Sequence, residues 1–180
     1  MAVRTGLMER VLVVKRLFEG PASLVFKLWT APQHLVRWLG PQGFATSLCE
    51  MEVRPGGAFR FCLRSPSGRE HWVRGAFLEI VERERILFTC AWDHADGSPG
   101  HETLVTVTLV EQEGRTRLTL HQAVFESVTA RDRHEQGWTG SLDRLAECVT
   151  GESGIQAREI GKRPQVAELF GIDDRAHGVH

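Results

Sequence analysis

The sequence predicts an α+β domain: a seven-stranded antiparallel sheet, two short helices after its first strand, and one long helix near its C-terminal end. Three observations carry this. Six short apolar stretches between positions 47 and 125 alternate with period two and are separated by turn residues, the pattern of an antiparallel meander. Trp138, Leu142, Leu145 and Val149 then fall at i, i+4, i+7 and i+11, a single apolar helical face. A run of strands followed by a helix, rather than strands and helices in alternation, belongs to the α+β class.

"VLVVKRLF", Val11 to Phe18, is apolar and β-branched enough for the first strand. Glu19-Gly20-Pro21 ends it, and Pro21 suits the first position of a helix whose stripe is Leu24, Val25, Leu28 and Trp29. Pro32 interrupts that helix, and a second one carries Leu35, Trp38 and Leu39 up to Gly40-Pro41. In "SLCEMEV" Cys49, Met51 and Val53 alternate with glutamates; in "AFRFCLR" Phe59, Phe61 and Leu63 alternate with Arg60, Cys62 and Arg64. "HWVRGAFLEIV", "RILFTCAW", "TLVTVTLV" and "TRLTLHQAVF" complete the strands, with "DHADGSPGHE" the widest gap among them. Thr129 is placed to cap the long helix. A strongly curved sheet with one long helix across it leaves a cavity between the two.

The chain of 180 residues fits one domain with a sizeable core. Residues 1–8 read as an N-terminal extension, 9–150 as the domain, and 151–180 as a mobile or loosely docked tail. Gly151, Gly154 and Gly161 interrupt the helical pattern there, and "PQVAELF" forms at most one short helix. Met8 competes with Met1 as the start. A net charge of −1 gives no footprint for nucleic acid or an anionic membrane surface. No secretory signal and no run of roughly 18 apolar residues is visible, so a cytoplasmic location without membrane insertion is expected.

The segment His134-Glu135-Gln136-Gly137 matches the first half of the zinc-hydrolase helix H-E-x-x-H, but Trp138 stands where the second histidine belongs. Asp93, His94, Asp96, His101 and Glu102 share one loop, yet turn chemistry accounts for Asp96-Gly97 and Ser98-Pro99-Gly100. The four cysteines form no C-x-x-C pair, and no G-x-S-x-G elbow or phosphate-cradling glycine loop occurs. The expectation is therefore no metal and no cofactor. Cys49 and Cys90 are expected to be buried, inert thiols. Cys62, between Arg60 and Arg64, is expected to be structural, with flanking cations able to lower its pKa.

Seven segments in order then resemble one family, the heat-shock-protein-90 ATPase activator-like branch of the START/SRPBCC superfamily. They are "VKRLFEGPASLVFKLWTAP", "RWLGP", "RPGGAFRF", "GAFLEIVERERILFTCAW", "TLVTVTL", "TRLTLHQ" and "HEQGWTGSLDRLAECV", which together span about residues 9–150. The resemblance implies the helix-grip fold of the birch pollen allergen. It also implies that Trp138 packs toward the sheet and that His134 lies near the cavity end of the helix.

In such a fold the bulky residues of the concave face line a ligand cavity as well as a core. Phe59 and Phe61, Phe88 and Trp92, Val107 and Leu120 are the candidates from the strands, with His134 and Trp138 from the helix. Trp72 and Arg74 share one face of their strand and His71 and Val73 the other. A bulge at Gly75 could shift the register, so the inward set stays open. Pointing inward, Arg74 would hold a carboxylate, phenolate or carbonyl; pointing outward, the better-supported case, it is a solvated arginine. His121 is expected to face outward.

The leading expectation is a small hydrophobic or aromatic ligand held between sheet and helix for carriage, sequestration or sensing. A polyketide cyclase or aromatase-like enzyme is the alternative, opposed by the lack of a convergent acid/base pair. A co-chaperone acting on a chaperone ATPase is the third, and rests on the family's name alone. Homodimerisation through an edge strand or the tail is compatible with the sequence, though no exposed apolar stripe marks it.

Overall fold

The computed structural model describes residues 6–161. Strand β1 (Leu12–Phe18) leads into helices α1 (Ala22–Thr30) and α2 (Pro32–Leu35). Six strands follow: β2 (Ala45–Met51), β3 (Ala58–Arg64), β4 (Glu70–Val81), β5 (Arg85–Trp92), β6 (Thr103–Gln112) and β7 (Arg115–Ala123). Helix α3 (Val128–Gly161) comes last. The α+β class and the seven-stranded curved sheet are as the sequence predicts.

The sheet order is β1-β7-β6-β5-β4-β3-β2, with every pair antiparallel. Consecutive strands from β2 to β7 are neighbours, so short turns suffice between them. β1 and β2 are the two edges, and α1 and α2 carry the chain across from one edge to the other.

Helix α3 packs against β1 and α1. Its stripe is the predicted one: Leu142, Leu145 and Val149 are fully buried, worth about 1.5–3 kcal/mol each in transfer free energy. Beneath them lie Val105, Val107, Leu118 and Leu120, also fully buried. A hydrogen-bond chain ties helix to sheet: Trp138 Nε1 donates to Gln122 Oε1 at 2.7 Å, and Gln122 Nε2 to Thr103 Oγ1 at 2.8 Å. Gln122 is completely buried, so both ends of its amide need these partners.

Several local expectations are corrected. Ser127, not Thr129, caps α3: its Oγ accepts from the Ala130 amide at 3.1 Å. Pro21 is the N-cap of α1 rather than its first residue, and it offers no side-chain cap; Glu111 Oε2 accepts from the Ala22 amide at 2.8 Å instead. The second helix stops at Leu35, before Trp38 and Leu39. The long helix does not break at Gly151 or Gly154 but runs on to Gly161. The segment "PQVAELF" and residues 162–180 lie outside the described residues, as do residues 1–5.

Candidate functional site

The strand carrying Arg74 settles its register through its neighbours. Phe61 pairs with Val73 and Val73 with Trp92, so these three share a row facing α3. His71 and Phe77 fall on that same face; Trp72 and Arg74 fall on the other. The expected bulge is not at Gly75. The register shifts between Phe77 and Glu79 instead. Gly75 makes room for an aromatic ring. A Cβ there would meet Thr89 O at 1.9 Å and the Phe59 ring at 2.4 Å, so only glycine lets that ring lie across the strand.

Arg74 is therefore not a cavity anchor. Its Nε and Nη2 grip Asp93 at 2.6 and 2.7 Å, and Nη2 also donates to Gly97 O at 3.0 Å. The bidentate guanidinium holds the Asp93 carboxyl below the usual carboxylate range. Trp72 sits at the rim with the Arg60 guanidinium 4.4 Å above its ring.

A cavity of about 950 Å³, partly open to solvent, lies between the sheet and the first half of α3. Its volume is at the upper end of small-molecule sites. Phe59, Phe61, Phe88, Trp92, His134 and Trp138 line it, with Trp72 at its border. Phe59 stacks on Phe61 with centroids 4.9 Å apart and meets Phe77 and Phe88 edge-on or tilted, forming an aromatic floor. Trp138 stacks on Trp29 at 5.8 Å to close one end. Val107 and Leu120, expected as lining, are solid core instead: both are fully buried in the central cluster and neither borders the cavity.

The lining also takes in residues that strand alternation did not single out. Leu39, Pro41 and Phe44 come from the loop after α2, Ser141 and Gly137 from α3, Arg69 from the β3–β4 turn, and Glu70 and His71 from the start of β4. Gly40 adopts φ +96° in that first loop, and its amide donates to Ser141 Oγ at 3.0 Å. A lining loop of this kind carries no periodicity, so only tertiary structure brings it to the site.

His134 has a defined proton. Its Nδ1 lies 2.8 Å from Ala130 O, a carbonyl that can only accept, while Trp92 Nε1, which can only donate, lies 2.9 Å from Nε2. The ring is thus a neutral imidazole with the proton on Nδ1. Burial pushes its pKa below the ordinary histidine value, against the opposing pull of the Ala130 carbonyl and Glu126. The unfolded chain binds this proton near pH 6.5 and the folded one resists it, so the stability tied to neutral His134 is intact above that pH and declines below it. Melting temperature should fall more steeply between pH 7 and 5.5 in the wild type than in His134→Gln, whose amide oxygen can still accept from Trp92. Parallel curves would remove His134 from the acid response.

Cys90 is buried as expected, and desolvation pushes its thiol up to about 12. Cys49 is only half-buried, its thiol pushed up to about 11 by the same cause. Cys62 is 1% exposed despite its arginine neighbours, so the flanking cations do not make it an accessible thiol. In the 93–102 loop, Asp96 accepts from the Ser98 amide and hydroxyl, and His101 Nε2 donates to Val124 O at 2.7 Å. No group of three metal-ligating side chains converges among the described residues. His121 is exposed, as expected.

An antiparallel sheet gripping one long helix over an aromatic-lined chamber defines a helix-grip, cavity-bearing domain, consistent with the SRPBCC superfamily. The family model for activator of Hsp90 ATPase homolog 1-like proteins matches residues 19–150, and the chain belongs to that family. A Chromobacterium violaceum protein of solved structure is 28% identical, with 78% of this chain and 96% of that one covered, at a TM-score of 0.72. A Silicibacter pomeroyi protein bearing the same family name is 26% identical over 79% and 99% of the two chains, at a TM-score of 0.72. A Nitrosomonas europaea protein is 26% identical over 81% and 97%, at 0.69. A search of the curated proteins found no match. Among the described residues no helix is long and apolar enough to cross a membrane.

Proposed function

We propose that the protein binds a small hydrophobic or aromatic ligand in the chamber between sheet and α3, as a cytoplasmic carrier, sequestering protein or sensor. The observation that supports this most is the volume of about 950 Å³ left among Phe59, Phe61, Phe88, Trp92 and Trp138, side chains that would otherwise collapse onto one another. His134, the histidine of α3 in the chamber wall, has its Nε2 engaged by Trp92, which leaves that ring no free lone pair for the general-base role a cyclase-like reaction would ask of it.

Native mass spectra of freshly purified protein, before and after denaturation, test the proposal. A co-purified small molecule that is lost on denaturation is expected, together with a thermal shift by apolar or aromatic compounds and no turnover. A clean apo mass and no shift across such a panel would sink it. Turnover of a bound compound would move the assignment to an enzyme. A changed chaperone ATPase rate without any thermal shift would move it to a co-chaperone, and the same spectra report any homodimer.

A further inference from the structure

The charges around the mouth of the chamber are unevenly matched. Glu70 is held by Arg64 at 2.9 Å, and Asp93 by Arg74 at 2.6 Å and Arg60 at 3.6 Å, all three arginines belonging to the far side of the sheet. Arg144 turns its guanidinium away, onto backbone carbonyls of the loop after α2. Arg69, on the β3–β4 turn, and Arg133, on the second turn of α3, remain. Both border the cavity, both are exposed, and among the described residues neither has an acidic partner.

Against them stands one rim carboxylate without a cation partner, Glu126. The histidines of the rim do not reverse the balance, since His134 is held neutral and His71 and His94 can only add positive charge. The N-terminal end of α3, with Ala130 in the cavity wall, turns the positive end of the helix dipole to the same opening. Deeper in, the wall is aromatic and aliphatic. The opening therefore favours an anion and the interior an apolar body.

We propose that the ligand is an amphipathic anion, with a carboxylate head at the mouth beside Arg69 and Arg133 and an apolar tail in the aromatic chamber. This rests on the ligand-binding proposal above and names the chemical class it takes. The head stays in contact with water, so its charge needs no full desolvation, and the arginines act as selectors more than as the main source of affinity.

Decanoate, decanol and decylamine share one tail and differ in the charge of the head. Calorimetric titration at neutral pH and low salt is expected to show decanoate binding about fivefold or more tighter than decanol, with decylamine weakest. The acid-to-alcohol ratio should shrink toward one in about 0.5 M NaCl, where exposed charges are screened. It should also approach one in the Arg69→Gln/Arg133→Gln double variant, whose fold is checked by its melting temperature. Equal binding of acid and alcohol by the wild type, or a preference that survives the double substitution, overturns the anion assignment and leaves the chamber proposal standing. Failure of all three compounds to bind overturns the amphipathic-anion assignment, and the chamber proposal then falls only with a clean apo mass and no thermal shift across the apolar and aromatic panel.

Discussion

Gly137→Phe is expected to abolish ligand binding, at least a tenfold loss, while leaving the protein as stable as the wild type or more so. Gly137 sits in the third turn of α3 and borders the chamber, and a Cβ built on it meets nothing within 4 Å. A glycine in a helix interior costs about 1 kcal/mol relative to alanine. At this position the cost keeps a side chain out of the opening. Phenylalanine would project its ring into the space the ligand needs, and would bury apolar surface there in doing so. The neighbouring Gly140 offers no such freedom, because its Cβ would approach Pro41 at 3.2 Å. Gly151 supplies the control: it lies in the same helix, is exposed, and likewise meets nothing within 4 Å. Gly151→Ala should raise stability by about 0.5–1 kcal/mol without touching affinity. Thermal shift and titration of decanoate on both variants check this. If Gly137→Phe binds as the wild type does, the ligand does not use the chamber at all.

The sequence speaks clearly where one face of an element meets one environment. Leu142, Leu145 and Val149 repeat with the helix and are buried with it, and Phe59, Phe61 and Phe88 alternate with the strand and face inward together. The resemblance carried by the seven segments adds the cavity, which periodicity alone does not show. Two limits of the pattern account for what it left open and what it misplaced. Arg74 belongs to a strand whose two faces both hold a bulky residue, Trp72 or Val73, so the pattern gives two sets without saying which is inward. Register with Phe61 and Trp92 decides it. Val107 and Leu120 alternate as Phe88 does, but whether an inward residue meets the helix or empty space depends on where the helix descends. Gly137 is silent for the opposite reason: what matters there is a side chain that is missing, opposite residues far away in the chain.

Arg144 is the least legible of all, and its removal is the second large effect expected. Between Leu142 and Leu145 it reads as a solvated helix arginine. In the fold, its Nη1 donates to Gly40 O at 3.0 Å, Phe44 O at 3.2 Å, Pro41 O at 3.3 Å and Leu39 O at 3.4 Å, and its Nη2 to Arg37 O at 3.1 Å. One fork thus gathers the carbonyls of the 37–44 loop, and Leu39, Pro41 and Phe44 of that loop form a wall of the chamber. Each bond is long and shared, so the sum is well below five separate charged hydrogen bonds. Arg144→Ala should cost about 2–3 kcal/mol, since the carbonyls lose their donor together. At about 2–4 °C per kcal/mol for a chain of this size, the melting temperature should drop by roughly 4–12 °C. Lysine keeps the charge but not the planar fork, so Arg144→Lys should recover only part of the loss. The loop is the place to look for the consequence: amides around 39–45 should exchange faster with solvent, and affinity for a chamber ligand should fall with them. If stability drops but exchange in that loop is unchanged, Arg144 supports α3 alone and the wall is held by Gly40 and Ser141.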